Sequence, residues 1–466
     1  MDHRWALANI MRDLLVVGIV VIAALMALRR PWIGVMLWTW ISLMNPHRYC
    51  YGFAYSAPLA AVSAGVLFIG LMTTRERENP IKGQPVKWLI ALTLWITLSW
   101  LMGYGMASSN AEVWNNDYVL WNRVMKMFLI LLVTLALLHN RFHIIAFAWV
   151  TAMSLAIIGA KGGVFTIAHG GSYHVYGPPG SQAYDNNDFA LVLVMLIPLL
   201  HFLQLQLKSG WKRHLMSIIM LLCVASALGS QSRGGMLALS AMGAVLWWRS
   251  PRKGVMTLAL LVVLLFILPM LPDAWWERMH SISSYSEDAS SMGRIRSWKV
   301  AIQVALHNIF GAGMYYQHPI IFAMWDVDQG PMIAAHSVYF QILGNHGFIG
   351  LFLYLMVGVS AFRTAGWLRV HARNIPQAQW AAHLGAMTQV SMAGFAVGGA
   401  FLSMGYYDLQ FNIMAMVVLA RHWVETKAWE HEPQMGFLEY CGLRHKQERA
   451  HGLETRNRVG ISPGKY

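Results

Sequence analysis

Long apolar runs separated by short polar stretches occupy almost the whole chain. A helix that crosses a membrane needs about 20 predominantly apolar residues. Thirteen segments approach that length, at 14–28, 32–44, 58–73, 86–104, 125–139, 142–160, 189–203, 214–229, 235–248, 254–270, 347–361, 383–402 and 408–421. This pattern predicts an all-α polytopic membrane protein with about twelve transmembrane helices.

The first two apolar segments leave the number of crossings open. Only Arg29, Arg30 and Pro31 separate them, so the two segments form either a helical hairpin or a single broken passage. The first segment has no small-residue cleavage site of the kind that ends a secretory signal, and many apolar segments follow it. We therefore expect this segment to be retained in the membrane.

Basic residues between the apolar segments predict the orientation of the chain. Four basic loops fall on the same side when the segments are followed one crossing at a time. They contain Arg75, Arg77, Lys82 and Lys87; Lys208, Lys212 and Arg213; Arg249, Arg252 and Lys253; and Arg363, Arg369 and Arg373. Because Lys- and Arg-rich loops stay in the cytoplasm, this side and the basic C-terminal tail are predicted to be cytoplasmic.

The opposite, outer face receives one loop that is much longer than the others, residues 271–346. A connection of that length is expected to carry helices of its own. The predicted division of the chain is therefore an N-terminal transmembrane part (1–270), a large periplasmic loop (271–346), a C-terminal transmembrane part (347–421) and a basic cytoplasmic tail (422–466).

Composition supports a membrane protein, because 57% of the residues are hydrophobic and only 12% are charged, against roughly 25% in soluble domains. The net charge of +14 would suggest a nucleic-acid partner in a soluble protein. Here the basic residues lie mostly between apolar runs, and no P-loop or zinc-finger spacing accompanies them, so membrane lipids are the expected partner and nucleic acid is not. The three cysteines form neither a disulfide framework nor a zinc motif.

Basic residues on the outer face oppose the general charge bias and are candidate ligands for an anion. They are Arg233, Arg294, Arg296 and Lys161. The arginine guanidinium is planar and permanently charged, and it matches the oxygens of a phosphate. The alternative is that these side chains reach toward lipid headgroups. Arg233 favours a binding role, since the glycines beside it allow a ligand to approach the backbone.

Acidic residues on the outer face are the second group of candidates. Asp185 and Asp188 lie at the start of an apolar segment, where they either cap a helix or bind sugar hydroxyls or a metal. Asp326 and Asp328 form an Asp-x-Asp pair of the kind that holds a metal in some glycosyltransferases, although such short matches are common. Asp408 begins the last apolar segment, where a carboxylate is costly unless it is paired or functional.

The segment 336-HSVYFQILGNHGFIG-350 joins the long outer loop to an apolar run. His336 has a side chain that can take a proton from a hydroxyl near neutral pH. If the segment is helical throughout, Tyr339 and Phe340 follow His336 on one face. Gly347 and Gly350 then offer small surfaces for close helix packing. A structural histidine remains the alternative on this pattern alone.

Three motifs between residues 232 and 350 resemble those of bacterial O-antigen ligases, within the superfamily of O-antigen ligases and polymerases. The first is His-[Asn/Ser/Gln]-x9-Gly-x-x-[Gly/Thr/Tyr], whose fixed places hold His336, Ser337, Gly347 and Gly350. The others are Ser-Arg-Gly at 232–234 and an Arg four residues before a Trp, at Arg294 and Trp298. The N-terminal stretch 43–53 resembles a branch of polysaccharide polymerases and O-glycosylation ligases, including exosortase-associated ones.

The resemblance implies an inverting GT-C-type glycosyltransferase of the bacterial inner membrane that needs no metal and no other cofactor. Its donor would be a glycan on undecaprenyl diphosphate and its acceptor the lipid A-core oligosaccharide. His336 matches the essential histidine of that family, Arg233 and Arg294 match its essential arginines, and Asp408 is a looser match to an acid near the last spans. Arg296 and Lys161 are added on chemical grounds.

Three other functions stay open at this point. An O-antigen polymerase and a protein O-oligosaccharyltransferase would use the same chemistry on a different acceptor. A transporter of lipid-linked glycans would also have many spans, but transporters place their polar groups near the middle of the bilayer. The candidate charges here lie at the ends of apolar segments on one face, which favours chemistry at the membrane surface.

Overall fold

The computed structural model describes residues 3–107, 111–250, 252–267, 276, 289–326, 332–432 and 440. Within these residues the chain forms fifteen α-helices and no strand. They are α1 (His3–Arg29), α2 (Pro31–Met44), α3 (Leu59–Thr73), α4 (Gly83–Ala107), α5 (Ala111–Leu137), α6 (Arg141–Ala168), α7 (Asn186–Gln206), α8 (Gly210–Gly229), α9 (Arg233–Arg249), α10 (Lys253–Ile267), α11 (Ala289–His307), α12 (Pro319–Trp325), α13 (Val338–His371), α14 (Gln379–Gly398) and α15 (Asp408–Glu425).

Every predicted apolar segment overlaps one of these helices, so the all-α prediction is confirmed. The two remaining helices, α11 and α12, come from the long loop at 271–346, which carries helices of its own as expected. Residues 271–275, 277–288 and 327–331 of that loop lie outside the described residues. The predicted basic tail also lies outside them, apart from its first residues up to Glu432 and Tyr440.

Seven helices in the described part of the chain are long and apolar enough to cross a membrane: α1, α4, α5, α6, α7, α8 and α13. This number fits a multi-pass membrane protein, while the predicted total of about twelve stays a prediction. The segment pair at 14–28 and 32–44 forms two helices that pack against each other, with Arg30 as the non-helical residue between them. At 14 residues, α2 is about 21 Å long, shorter than the hydrocarbon core of a bilayer.

Helix α7 lies at the centre of the bundle. It is apolar on every side, and the residues from Phe189 to Leu196 are almost completely enclosed. Helices α6, α8, α9 and α14 pack around it. This enclosure fixes the start of α7, and with it the acidic pair Asp185 and Asp188, relative to the neighbouring helices.

Helix α13 is broken at Gly347, whose backbone has φ 68° and ψ −174°. That region is reached essentially only by glycine. A Cβ atom at this position would also collide with the carbonyl oxygen of Ile309. The fixed glycine of the motif is therefore a backbone requirement. A neighbouring segment does pack closely against Gly347, but the expected continuous helix through this residue is wrong.

The break frees carbonyl groups that other elements then satisfy. The N–H of Ala312 donates to the carbonyl of Gly344, and the N–H of Gly313 donates to that of Asn345, each at 3.0 Å. The indole N–H of Trp95 donates to the carbonyl of His346 at 2.8 Å. Because buried carbonyls must be paired, the glycine-containing loop after α11 and the break in α13 form one structural unit.

His346 lies at this break and has no exposed surface. Its Nδ1 is 2.8 Å from the Ser99 hydroxyl, and its Nε2 is 2.6 Å from the Tyr406 hydroxyl. Gly350 lies one turn later, where a Cβ would collide with the Cβ of His346. The second fixed glycine of the motif therefore makes room for this histidine.

Candidate functional site

His336 lies in an irregular segment just before α13. Its φ is 43°, a conformation that L-residues other than glycine rarely adopt. Ser337 occupies the N-cap position of α13 without capping it, and its hydroxyl is buried with no hydrogen-bond partner among the described residues. The expectation that His336 shares a helical face with Tyr339 and Phe340 is wrong, since this turn separates the histidine from the helix.

Trp298 holds the turn in place from the neighbouring helix α11. Its indole N–H donates to the carbonyl of Ala335 at 2.8 Å. Its ring stacks on Phe340, with centroids 4.8 Å apart and planes 10° from parallel. Arg294 lies one turn earlier on the same face of α11. The Arg-x3-Trp spacing thus places both residues on the side of α11 that faces His336. Trp298 fixes the backbone next to His336, and Arg294 brings a positive charge near its imidazole.

The surroundings of His336 favour its neutral form. Burial lowers the pKa of the imidazole below its ordinary value, and the nearby positive charge of Arg294 lowers the pKa further. The negative charge of Asp185 acts in the opposite direction on the same pKa. His336 is therefore neutral at pH 7 and able to accept a proton, which is the state that a general base requires.

The starts of α7 and α9 lie side by side. Asp185 caps α7 by accepting the N–H of Asn187 at 2.8 Å, and the Asn186 side chain donates to the carbonyl of Ser230 at 2.7 Å. Gly235 is so close to α7 that a Cβ there would lie 2.6 Å from the Ala190 Cβ. Arg233, the first residue of α9, is therefore held next to the first turn of α7.

The loop between α14 and α15 joins this pair of helix starts to α13. The N–H of Val338 donates to the carbonyl of Gly399 at 2.7 Å. Further along the loop, the backbone N–H of Ser403 lies near the carboxyl group of Asp188. As a result, α7, α9 and α13 all begin around one loop. Positive helix termini and two arginines favour an anionic ligand there.

Arg296 is not part of this arrangement. It lies two residues after Arg294, about 200° around the helix. Its Nε is 3.4 Å from the Asp326 carboxylate, and its guanidinium lies over the Phe322 ring at 5.5 Å. Asp326 is thus paired with an arginine, and Asp328 lies outside the described residues. Within the described chain, no group of three or more His, Cys, Asp or Glu side chains is arranged to hold a metal ion.

Lys161 and Asp408 line two other cavities. Lys161 faces a cavity of about 390 Å³ together with Tyr176 and Tyr184. Asp408 faces a cavity of about 220 Å³ and accepts a hydrogen bond from the Ser42 hydroxyl at 3.1 Å. His336, Arg233 and Arg294 do not line either cavity. The predicted diphosphate role of Lys161 and supporting role of Asp408 stay predictions.

Two further basic residues, which no sequence motif identified, line the same cavity as Asp408. They are Arg123 and Lys126, both exposed on α5. Arg123 precedes the apolar segment 125–139, and Lys126 lies in its first turn. Their spacing of three residues, which places both on one face of a helix, is the signal that could have identified them.

Two known protein families match overlapping parts of the chain. Residues 11–208 match the model of a family of unknown function, DUF5935. Residues 189–355 match the model of the O-antigen ligase family, and this range contains Arg233, Arg294, His336, Gly347 and Gly350. No protein of curated function matches the chain. Residues 189–355 of the chain are therefore similar to the O-antigen ligase family.

Proposed function

We propose that the protein is an O-antigen ligase that moves a glycan from undecaprenyl diphosphate to the lipid A-core oligosaccharide in lipopolysaccharide biosynthesis. The observation that carries this proposal is a neutral, half-buried His336 beside Arg294, at the point where α7, α9 and α13 begin. The reaction needs a base for the acceptor hydroxyl and positive charge for the diphosphate. Both lie within the part of the chain that matches the family.

Arg233 and Arg294 would bind the diphosphate of the donor. Their side chains and the helix N-termini supply positive charge in fixed positions before the reaction begins. As the bond between the anomeric carbon and the diphosphate breaks, the diphosphate leaves with the electron pair and its charge grows. Fixed donors that face this charge do the work that a divalent metal does in other glycosyltransferases, so we propose a metal-independent reaction.

His336 would act on the acceptor. Its neutral imidazole takes the proton from the acceptor hydroxyl while that oxygen attacks the anomeric carbon. The attack comes from the side opposite the diphosphate, so the configuration at the anomeric carbon inverts. Asp185 lies close enough to stabilise the imidazolium that forms, since its charge favours the protonated ring. Asp188 is available for a sugar hydroxyl.

The proposed location is the bacterial inner membrane, in a multi-pass GT-C-type arrangement with the site on the periplasmic face and the C-terminus in the cytoplasm. Seven apolar helices in the described chain support the membrane assignment. The periplasmic assignment rests on the basic loops, which precede or follow the helix ends opposite to the site. Both lipid-linked substrates are then reached from the outer leaflet.

The test is transfer by the purified protein. The full chain in lipid nanodiscs is incubated with an undecaprenyl-diphosphate glycan and rough lipopolysaccharide, with and without EDTA. We expect ligated lipopolysaccharide in both conditions, and a transfer rate that is lower by about 10²–10⁴ with His336→Ala. His371→Ala, at the exposed far end of α13, is the matched control and should retain the wild-type rate. A requirement for a divalent metal, or a His336→Ala variant with a near wild-type rate, would refute the mechanism.

The product of the same assay separates the alternatives. An O-antigen polymerase would lengthen the lipid-linked glycan and leave the lipopolysaccharide unchanged. A protein O-oligosaccharyltransferase would modify an added pilin-like protein. A transporter would move the glycan across the membrane with no new covalent bond. Each of these outcomes would replace the ligase proposal.

A further inference from the structure

A cavity of about 220 Å³ lies between α2, α5, the 180–182 turn and the start of α15. Arg123 and Lys126 of α5 both line it. They are three residues apart and therefore neighbours on one helix face. Both side chains are exposed to the cavity, so two positive charges face one small space.

These two charges lie in an apolar helix. The candidate membrane span Asn115–Leu137 contains both residues. An ionisable residue within a membrane span is costly unless it is paired or faces a hydrated space. Among the described residues, no carboxylate lies within ion-pair distance of Arg123 or Lys126.

The one acid that lines the cavity does not neutralise both cations. The carboxylate of Asp408 interacts electrostatically with Arg123, and it also accepts a hydrogen bond from the Ser42 hydroxyl. One carboxylate against two cations leaves the cavity with a net positive charge. The charge that balances it must therefore come from a bound anion or from solvent.

The remaining lining groups suit an anion with several oxygens. Asn45, Ser181 and Gln182 bring an amide, a hydroxyl and a second amide to the cavity. Hydrogen bonds from cationic groups to phosphate oxygens are stronger than neutral ones. The volume is below the range of about 300–1,000 Å³ that drug-sized ligands occupy. The cavity therefore fits one charged group and not an entire glycan.

We infer that this cavity is a phosphate-binding site, separate from the site at His336, in which Arg123 and Lys126 bind the phosphate oxygens. The phosphate could belong to the headgroup of an anionic lipid or be free in solution, and the chemistry of recognition is the same for both. The inference does not depend on the proposed transfer reaction. It would give a binding function to the part of the chain that matches a family of unknown function.

The first experiment isolates this site from the one at His336. The full-length protein carries Arg233→Gln and Arg294→Gln, so that phosphate binding at the transfer site is weakened. It is placed in neutral phosphatidylcholine nanodiscs and titrated with inorganic pyrophosphate, or it is placed in nanodiscs that contain phosphatidic acid. Binding is followed by calorimetry and by the thermal unfolding midpoint, which a ligand of the folded state raises.

Lys126→Ala in that background should lower the affinity for the phosphate probe by about tenfold or more, since a hydrogen bond to a charged group is lost. Lys126→Arg should keep most of the affinity. Lys87→Ala, which removes an exposed lysine from α4, is the matched control and should bind as the parent does. Binding of pyrophosphate in neutral nanodiscs indicates free phosphate, and a response to phosphatidic acid alone indicates a lipid headgroup.

Unliganded Lys126→Ala should unfold at the same temperature as the parent or higher, because the change removes a like charge three residues from Arg123. A lower unfolding temperature without any ligand would show a structural cation and overturn the inference. So would equal binding by the Lys126→Ala and Lys87→Ala variants, or no response to either probe. A protein that binds phosphate here but transfers no glycan would refute only the proposed function.

Discussion

His336 and His346 lie ten residues apart in one segment and have opposite environments. His346 is fully enclosed, with both ring nitrogens hydrogen-bonded to the hydroxyls of Ser99 and Tyr406. His336 is half-buried, lies outside the helix in a left-handed conformation, and feels the charges of Arg294 and Asp185. One histidine has no bonding capacity left for a substrate, and the other is placed among charged groups.

The difference between the two histidines follows from two interruptions of the helix. Gly347 breaks α13 just after His346, and the freed carbonyls bind the loop that follows α11. The turn at His336 precedes α13 and is bonded to α11 through Trp298 and Ala335. Both interruptions tie α13 to the same neighbouring chain segment. The buried His346 therefore supports the geometry in which the half-buried His336 can react.

The largest expected effect is that of His336→Ala on glycan transfer. We expect the rate to fall by about 10²–10⁴, the usual contribution of a general base, with an unchanged thermal unfolding midpoint. His346→Ala should show the reverse pattern. It leaves a buried cavity and two hydroxyls without their partner, which costs about 2–5 kcal/mol of folding stability. Transfer assays and thermal unfolding of both variants would measure the contrast.

Two outcomes would contradict the assignment of a catalytic role to His336 and a structural role to His346. If His336→Ala lowered the unfolding midpoint as much as His346→Ala, His336 would have to be regarded as structural. If folded His346→Ala lost activity without any loss of stability, the enclosed histidine would belong to the site. His346→Gln is the better variant if alanine prevents folding, because its amide can keep one of the two hydrogen bonds.

The next effect separates the two arginines of α11. Arg294→Gln should reduce the transfer rate by about 10²–10³, as removal of one fixed charge-stabilising donor does. Arg296→Gln should mainly reduce stability, since it removes the guanidinium that forms an ion pair with the buried carboxylate of Asp326. Steady-state kinetics and thermal unfolding of the two variants test this directly. Equal losses of rate would show that both arginines bind the diphosphate.

A smaller effect is expected from the glycine at the helix break. Gly347→Ala should destabilise the protein by about 1–3 kcal/mol from its backbone conformation alone, and further through the collision with Ile309. Gly358→Ala is the control in the same helix, because a Cβ there meets nothing within 4 Å. Thermal unfolding should show a loss for the first variant and none for the second. A stable Gly347→Ala variant would mean that the helix can be continuous.

The sequence predicted the helices because each apolar run is long enough to identify an element by itself. It gave Arg294 and Trp298 only as a motif, and the structure shows that their spacing of four residues places them on one face of α11. It could not predict the left-handed turn at His336 or the break at Gly347, because both depend on carbonyl partners from distant segments. The distribution of basic residues predicts on which side of the membrane Lys161 and Arg296 lie, but it does not predict which residues they contact. In the structure Lys161 lines a cavity that does not include His336, and Arg296 is paired with Asp326.

The smallest effect is a shift in the pH dependence of glycan transfer. It tests the opposite effects of Arg294 and Asp185 on the pKa of His336. The base must be neutral, so the transfer rate should fall as the pH drops through the pKa of His336, which lies below its ordinary value. Arg294→Gln removes a charge that lowers this pKa, so the fall of the transfer rate at low pH should move to higher pH. Asp185→Asn removes a charge that raises the pKa of His336, so the fall of the transfer rate should move to lower pH. Rate–pH profiles of the residual activity would show the two shifts, and movement in the same direction would exclude His336 as the group that titrates.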